Sequence, residues 1–283
     1  MTRVDPEILP PEGREEEGRT YYQPPPEPMP QPPQPQRRPR WAYAPATYIL
    51  VGINCLVFLW MTLSGISVVA PTPEQLLASG ANYGPYVLVL GDWWRLLTAT
   101  FVHVGIIHLA TNMWCLWNLG LLGEPLLGPF GMLAAYVLTG IGGNLLSTAV
   151  HPGVPGGSGG IVGAGASGAV FGLAGVLILL LKSPLLPLPQ IEVQRLRKSV
   201  IWFAVLNFVI GAGTWIARTS LQIDNMAHLG GFLSGLAFAL PLVPRIGARR
   251  EVFIRRRWFA VLGMSFLLLL VAFGIHSFYM GGR

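Results

Sequence analysis

The chain has 283 residues, 52% of them hydrophobic and only 11% charged, with a net charge of +6. Soluble domains carry about 25% charged residues, so too few water-facing groups remain here to coat a soluble particle. The mean hydropathy of +0.52 points the same way, towards a chain that crosses the bilayer several times.

Residues 1–40 form a separate zone rich in Pro and Glu, including Gln23-Pro24-Pro25-Pro26. Such a segment cannot bury enough apolar surface to fold, and is expected to be a disordered cytoplasmic tail, either a docking site or a plain spacer. Beyond it, a span needs about 20 apolar residues, because the hydrocarbon core is roughly 30 Å thick and a helix rises about 1.5 Å per residue. Stretches free of Asp, Glu, Lys and Arg place spans at about 48–69, 96–123, 130–150, 166–181, 199–217, 225–244 and 258–280. The third and fourth are divided by a Gly- and Pro-rich segment at 151–165, of which 152–160 should be mobile. An all-α polytopic membrane protein with seven helices is expected. The longest loop, 70–101, carries Trp93-Trp94-Arg95, residues suited to a bilayer interface.

Seven spans put Arg37, Arg38, Arg40, Lys182, Arg195, Arg197, Lys198, Arg245, Arg249, Arg250, Arg255, Arg256 and Arg257 on one side. Arg95, Arg218 and Arg283 fall on the other. Basic loops stay cytoplasmic, so the N-terminus is expected inside and the C-terminus outside. The arginine cluster before the last span should attract anionic lipid. These loops account for the sequence pI near 9.7 without a nucleic-acid partner. Cys55 and Cys115 both lie inside spans and are not expected to pair. No apolar signal core precedes span 1, which must then act as the targeting element.

Polar groups inside spans are costly and so are candidates for function. Ser167 sits in Gly165-Ala166-Ser167-Gly168, where the chain passes from a loop into an apolar helix. There the free N–H groups and the dipole favour developing negative charge. The same serine would also suit a small-residue helix contact. His228 lies in Ala227-His228-Leu229-Gly230-Gly231, on the same side of the membrane as Ser167. It could snorkel to the interface, but glycines at i+3 and i+7 would let its helix approach the glycine face of the Ser167 helix. Imidazole and hydroxyl would then be close enough for the first to activate the second. His108 and Asn112, spaced i and i+4, share one helical face and could donate hydrogen bonds to an oxyanion alongside the Ser167 N–H, or simply fix their own span. Asp224 precedes His228 by one turn, where a helix cap or an ion pair with Arg218 competes with any role beside the imidazole, so a Ser–His dyad is read rather than a triad. The histidines lack metal-ligand spacing, and neither a metal nor a cofactor is expected. A transporter fits poorly, because no Asp or Glu lies deep in a span and no repeat is visible.

Taken together, these motifs resemble the rhomboid family of intramembrane serine proteases. Trp94-Arg95 is similar to that family's Trp-Arg motif, and His103, His108 and Asn112 to its His-x4-His-x3-Asn pattern. Gly165-Ala166-Ser167-Gly168 is similar to Gly-x-Ser-Gly, and Ala227-His228 through Gly231 to Ala-His-x-x-Gly. The resemblance covers about residues 48–244. It implies a six-helix core at 41–246 and a basic linker with a seventh transmembrane helix at 247–283. It also implies Ser167 as nucleophile, His228 as base and His108 with Asn112 as oxyanion donors. Gly165, Gly168, Trp94, Arg95, His103 and Asn225 would support the site. Phe171, where many relatives have tyrosine, would lie beneath the imidazole. The expected function is endopeptidase cleavage in or near transmembrane segments of membrane proteins, at a site in the cell membrane opening to the outside. The alternative is a catalytically silent relative that binds or chaperones client helices.

Overall fold

The computed structural model describes residues 44–153, 160–183, 186, 189–216, 223–243 and 249–281. The proline-rich tail, positions 154–159 of the glycine-rich loop, and Arg218, Arg245 and Arg283 lie outside the described residues. In chain order the elements are α1 (Pro45–Leu63), α2 (Pro73–Ala78), β1 (Asn82–Tyr83), α3 (Gly84–Leu88), α4 (Arg95–Thr98), α5 (Ile106–Val150), β2 (Val162–Gly163), α6 (Ser167–Leu180), α7 (Gln190–Ile216), α8 (Asn225–Ala239) and α9 (Arg250–Gly281). Apart from the two-residue antiparallel pairing of β1 with β2, the described fold is all-α.

Among the described residues, α1, α5 and α9 are long and apolar enough to cross a membrane by length and composition. At 45 residues, α5 can cross twice. It breaks at Gly128 (φ 72°, ψ 162°), between Pro125 and Pro129. The second and third expected spans are therefore two limbs joined at one left-handed glycine. Pro129, which has no N–H to leave unpaired, opens the second limb. With α6, α7 and α8 the two limbs and α1 make a six-helix polytopic core, and α9 is the seventh helix.

Several boundaries differ from the apolar stretches. Residues 96–105, apolar enough to read as part of the second span, form instead α4 and an irregular approach to α5 that turns through Gly105 (φ 93°). α1 ends at Leu63, and the chain turns at Gly65 (φ 86°). α7 and α9 start earlier than their apolar parts, so Arg195, Arg197, Lys198, Arg250, Arg255, Arg256 and Arg257 lie on helices rather than in loops. Their long aliphatic stems let a helix carry charge along its flank into the headgroup zone.

α6 is central. Every residue from Gly168 to Leu177 is buried, as expected of a helix that is apolar all round. Glycine makes this possible. A Cβ on Gly231 of α8 would lie 2.0 Å from the Gly168 carbonyl oxygen, and one on Gly235 would lie 2.0 Å from that of Gly172. The second limb of α5 closes the group, since a Cβ on Gly143 would sit 2.6 Å from the Ala227 carbonyl oxygen. Lipid supplies no hydrophobic drive between helices, so such close backbone approach is what binds them.

One buried carboxylate organises the start of the bundle. Glu124, only 1% exposed, lies within α5 rather than beyond a span. Its Oε1 accepts from the Ala46 N–H at 2.9 Å, and its Oε2 accepts from the Thr47 N–H and hydroxyl at 2.7 Å each. The side chain thus caps α1 from 77 residues away and places negative charge at the positive end of its dipole.

Two outcomes follow. Glu124→Ala strands buried N–H donors and should cost about 3 kcal/mol, seen as a lower Tm in detergent, with Glu124→Gln falling between it and the parent. Gly235→Val should unseat α8 and abolish the folded transition, whereas Gly263→Ala, with no atom within 4 Å of the added carbon, should leave the Tm unchanged.

Candidate active site

Ser167 is the first residue of α6. Its N-cap, Ala166, offers no side-chain bond, so the N–H groups of the first turn have no partner within the helix. The loop leading to it is tied down at three points. β2 pairs with β1 just upstream. The Gly165 N–H donates to the Ala99 carbonyl at 2.9 Å. The Ala166 N–H donates to His103 Nε2 at 3.4 Å, and His103 Nδ1–H donates to the Phe101 carbonyl at 3.1 Å. His103 is fully buried, so its neutral ring is a strut between the 99–103 segment and the residue before Ser167.

Gly165 adopts φ 132°, a conformation that favours glycine. A Cβ there would also meet His108 Cε1 at 2.5 Å, so the His108 ring lies directly against the backbone two residues before Ser167. His108 Nδ1 accepts from the Val104 N–H at 3.3 Å. In a neutral ring this leaves the proton on Nε2, a donor. The Asn112 amide donates to the His108 carbonyl at 3.0 Å. A primary amide has two N–H donors, so one remains for another partner.

His228 is the fourth residue of α8 and 5% exposed. Its imidazole stacks on Phe171, with ring centroids 4.2 Å apart and planes 12° apart. Phe171 stands four residues after Ser167, so both side chains leave the same face of α6. No hydrogen bond joins the Ser167 hydroxyl to the imidazole among the described residues. His228 Nδ1 is buried without a partner. The carboxylate one turn before it, Asp224, caps α8, accepting from the Met226 and Ala227 N–H groups at 3.0 Å each, and also accepts from the Ser147 hydroxyl. Beside the imidazole an apolar cavity of about 290 Å³ lies between α6, α7 and α8, lined by Phe171, Phe208, Val209, His228 and Phe232 among others.

The remaining sequence candidates are placed differently. Arg95 is not a free cation at the interface. It is 8% exposed and pairs with Asp92 through Nε at 2.9 Å. It also donates to the Leu77 and Ala81 carbonyls and stacks between the rings of Trp94 and Tyr86. It thus knits the 70–101 loop together. The Asn225 amide oxygen lies against Gly211 of α7. Gly168 forms the contact with Gly231.

Sequence reasoning did not pick out Asn82 and Thr148, which with Asn144 fasten β1 and α4 to α5: Asn82 bonds the Asn144 carbonyl and Thr148, and Asn144 bonds the Leu96 carbonyl at 2.8 Å. The only signal was an asparagine inside an otherwise apolar span. Among the described residues no cluster of three or more His, Cys, Asp or Glu could hold a metal ion.

Comparison with known proteins bears on this arrangement. Residues 90–245, more than half the chain, match the Rhomboid domain family. The chain is 31% identical over 232 residues to the Rhomboid protease GluP of Bacillus subtilis (strain 168), covering 82% of this chain and 41% of that protein. It is 29% identical over 192 residues to the Rhomboid-like protease 2 of Toxoplasma gondii, covering 67% and 62%. It is 30% identical over 219 residues to the Rhomboid protease AarA of Providencia stuartii, covering 70% and 73%. The chain thus spans less than two thirds of the first two relatives and nearly three quarters of the third. A domain match across the motifs, on an all-α polytopic bundle, leads to a single conclusion: this multi-pass membrane chain belongs to the rhomboid family.

Proposed function

We propose that the chain is a serine endopeptidase that cleaves transmembrane proteins in or just outside the bilayer, using Ser167 as nucleophile and His228 as general base. The observation that carries this reading is the stacking of His228 on Phe171. It puts an imidazole on the face of α6 that also bears Ser167. A hydroxyl–imidazole bond of this kind is often long until substrate closes the site.

In the proposed reaction His228 takes the Ser167 proton as Oγ attacks the substrate carbonyl. The oxyanion receives hydrogen bonds from the Ser167 N–H, His108 Nε2–H and the second Asn112 N–H. The imidazolium then gives its proton to the leaving amine. Water, deprotonated by the same base, releases the acyl group and restores the serine. The engagement of Asp224 with its own helix N-terminus and with Ser147 supports a dyad. Helical substrate hides its carbonyls, so a cleavable segment must unwind locally, which favours Gly, Pro or Ser near the scissile bond.

Helix length supports an intramembrane location. α6 has 14 residues, about 21 Å, against a hydrocarbon core of roughly 30 Å. Lys182, exposed just past its C-terminal end, marks one membrane surface. The shortfall therefore falls at the Ser167 end, which sits several ångströms below the other. The distribution of basic residues supports a cytoplasmic N-terminus and a site opening to the outside of the cell membrane. In this reading 41–246 is the protease core, 247–283 adds the basic segment and α9, and 1–40 is a cytoplasmic tail.

Co-expression with a single-span reporter tests the proposal. Ser167→Ala and His228→Ala should each cut cleavage at least about 10³-fold, and a fluorophosphonate adduct should map to Ser167 by mass spectrometry. Equal cleavage by parent and Ser167→Ala would overturn it, and reporter capture without cleavage by the parent would point to client binding. Phe171→Ala, which removes the ring beneath the base, should lower the cleavage rate about tenfold, while Phe171→Tyr should stay near the parent rate.

A further inference from the structure

α9 lies outside the six-helix core, and most of it faces outward: Leu262, Phe266, Leu269, Phe273 and Phe278 are all exposed. Only Ala260, Met264 and Leu268 are buried, a stripe spaced by four residues. A helix so lightly packed needs no polar contacts to stay in a membrane, yet it makes them near both ends. Near its start, Arg257 donates to the Leu127 carbonyl at 3.2 Å beside the Gly128 break, and Trp258 packs on Phe130 at 4.8 Å.

At its C-terminal end it touches both arms that hold the Ser167 loop. The Tyr279 hydroxyl donates to the Gly153 carbonyl at 3.2 Å. Gly153 turns at φ 58° with its Cα close to Gly160, Gly160 abuts the Tyr83 ring, and the chain then enters β2 and the Ser167 loop. The His276 ring meets Trp93 edge-on, with centroids 5.9 Å apart and planes at 74°. Trp93 leads directly into α4 and on to Ala99, whose carbonyl holds the Gly165 N–H.

We infer that the C-terminal end of α9 is a positioning element for the nucleophile loop, acting through Tyr279 on Gly153 and the adjacent 160–163 segment and through His276 on the 93–99 arm. Neither residue touches Ser167 or His228. Both fix the segments from which Ser167 is suspended. Reaction geometry is sensitive to displacements of about 1 Å, so a contact this remote controls rate without controlling substrate binding. The inference rests on Ser167 being the nucleophile only for its effect on rate. Its effect on the loop is independent of that reading.

The test uses the full chain in proteoliposomes. Tyr279→Phe removes one hydroxyl, and His276→Ala removes the ring while His276→Phe keeps it. Hydrogen–deuterium exchange of residues 160–166 is read beside fluorophosphonate labelling and reporter cleavage. Tyr279→Phe and His276→Ala should each speed exchange in 160–166, and should slow labelling and lower kcat about threefold, the scale of one lost hydrogen bond or one lost aromatic contact, with KM unchanged. His276→Phe should restore parent behaviour, and Phe278→Ala, altering a residue that is 87% exposed, should change nothing. Unaltered exchange in 160–166 in both Tyr279→Phe and His276→Ala would overturn the inference, as would a rise spread evenly over all helices. A parent that neither labels nor cleaves would sink the protease reading alone, because exchange still decides whether α9 holds the loop.

Discussion

Along the glycine face shared by α6 and α8 no side chain separates the two backbones. The Gly168 carbonyl faces Gly231 and the Gly172 carbonyl faces Gly235, each so close that a single methyl would collide. The bundle depends on this backbone-to-backbone seam. It fixes the rotation and depth of α8 relative to α6, and so puts the imidazole over Phe171 rather than elsewhere. It also admits the second limb of α5, whose Gly143 approaches the Ala227 carbonyl. Polar residues along these helices can then sit at defined heights, because the helices that bear them cannot slide.

Around the seam the protein solves a second problem, which is to hold an irregular loop in an apolar setting without stranding its polar groups. Non-helical backbone is tolerated at membrane depth only when its N–H and C=O groups find partners. Here the partners are specific. Ala99 serves Gly165, His103 serves Ala166, and Asn144 serves the Leu96 carbonyl. Arg95 serves the carbonyls of Leu77 and Ala81. The segment leading to Ser167 is therefore held by hydrogen bonding where it lacks regular structure.

Much of this was legible in the sequence, for a physical reason. Apolar runs reveal spans, and i, i+4 spacing reveals faces. The sharing of one face by Ser167 and Phe171, and of another by His108 and Asn112, thus follows from numbering alone. Function was harder to separate from packing. Asn118 and Asn207, equally polar and equally inside spans, each donate to the carbonyl four residues back, a local bond that needs no distant partner, whereas Asn54 makes that bond and also donates to the Tyr136 hydroxyl across the bundle. Other features were hidden because they depend on pairings across the chain. Glu124 reads as the end of a span until α1 is seen to start on it. The joining of two spans at Gly128 depends on its left-handed conformation, and glycine is common enough in this chain to conceal the one that matters. Arg95 reads as an interface anchor until Leu77, Ala81 and Asp92 are brought to it.

The Glu124 cap also bears on how the molecule is assembled. Ribosomes deliver α1 to the membrane long before α5, yet the groups that satisfy the first N–H donors of α1 sit 77 residues downstream. Until they arrive, that end of α1 must remain in the hydrated headgroup layer, where water can serve it. Glu124 in turn has no reason to leave water before α1 is available to receive it. Each is therefore the other's condition for burial. The burial of the α1 N-terminus thus waits on the chain through Glu124.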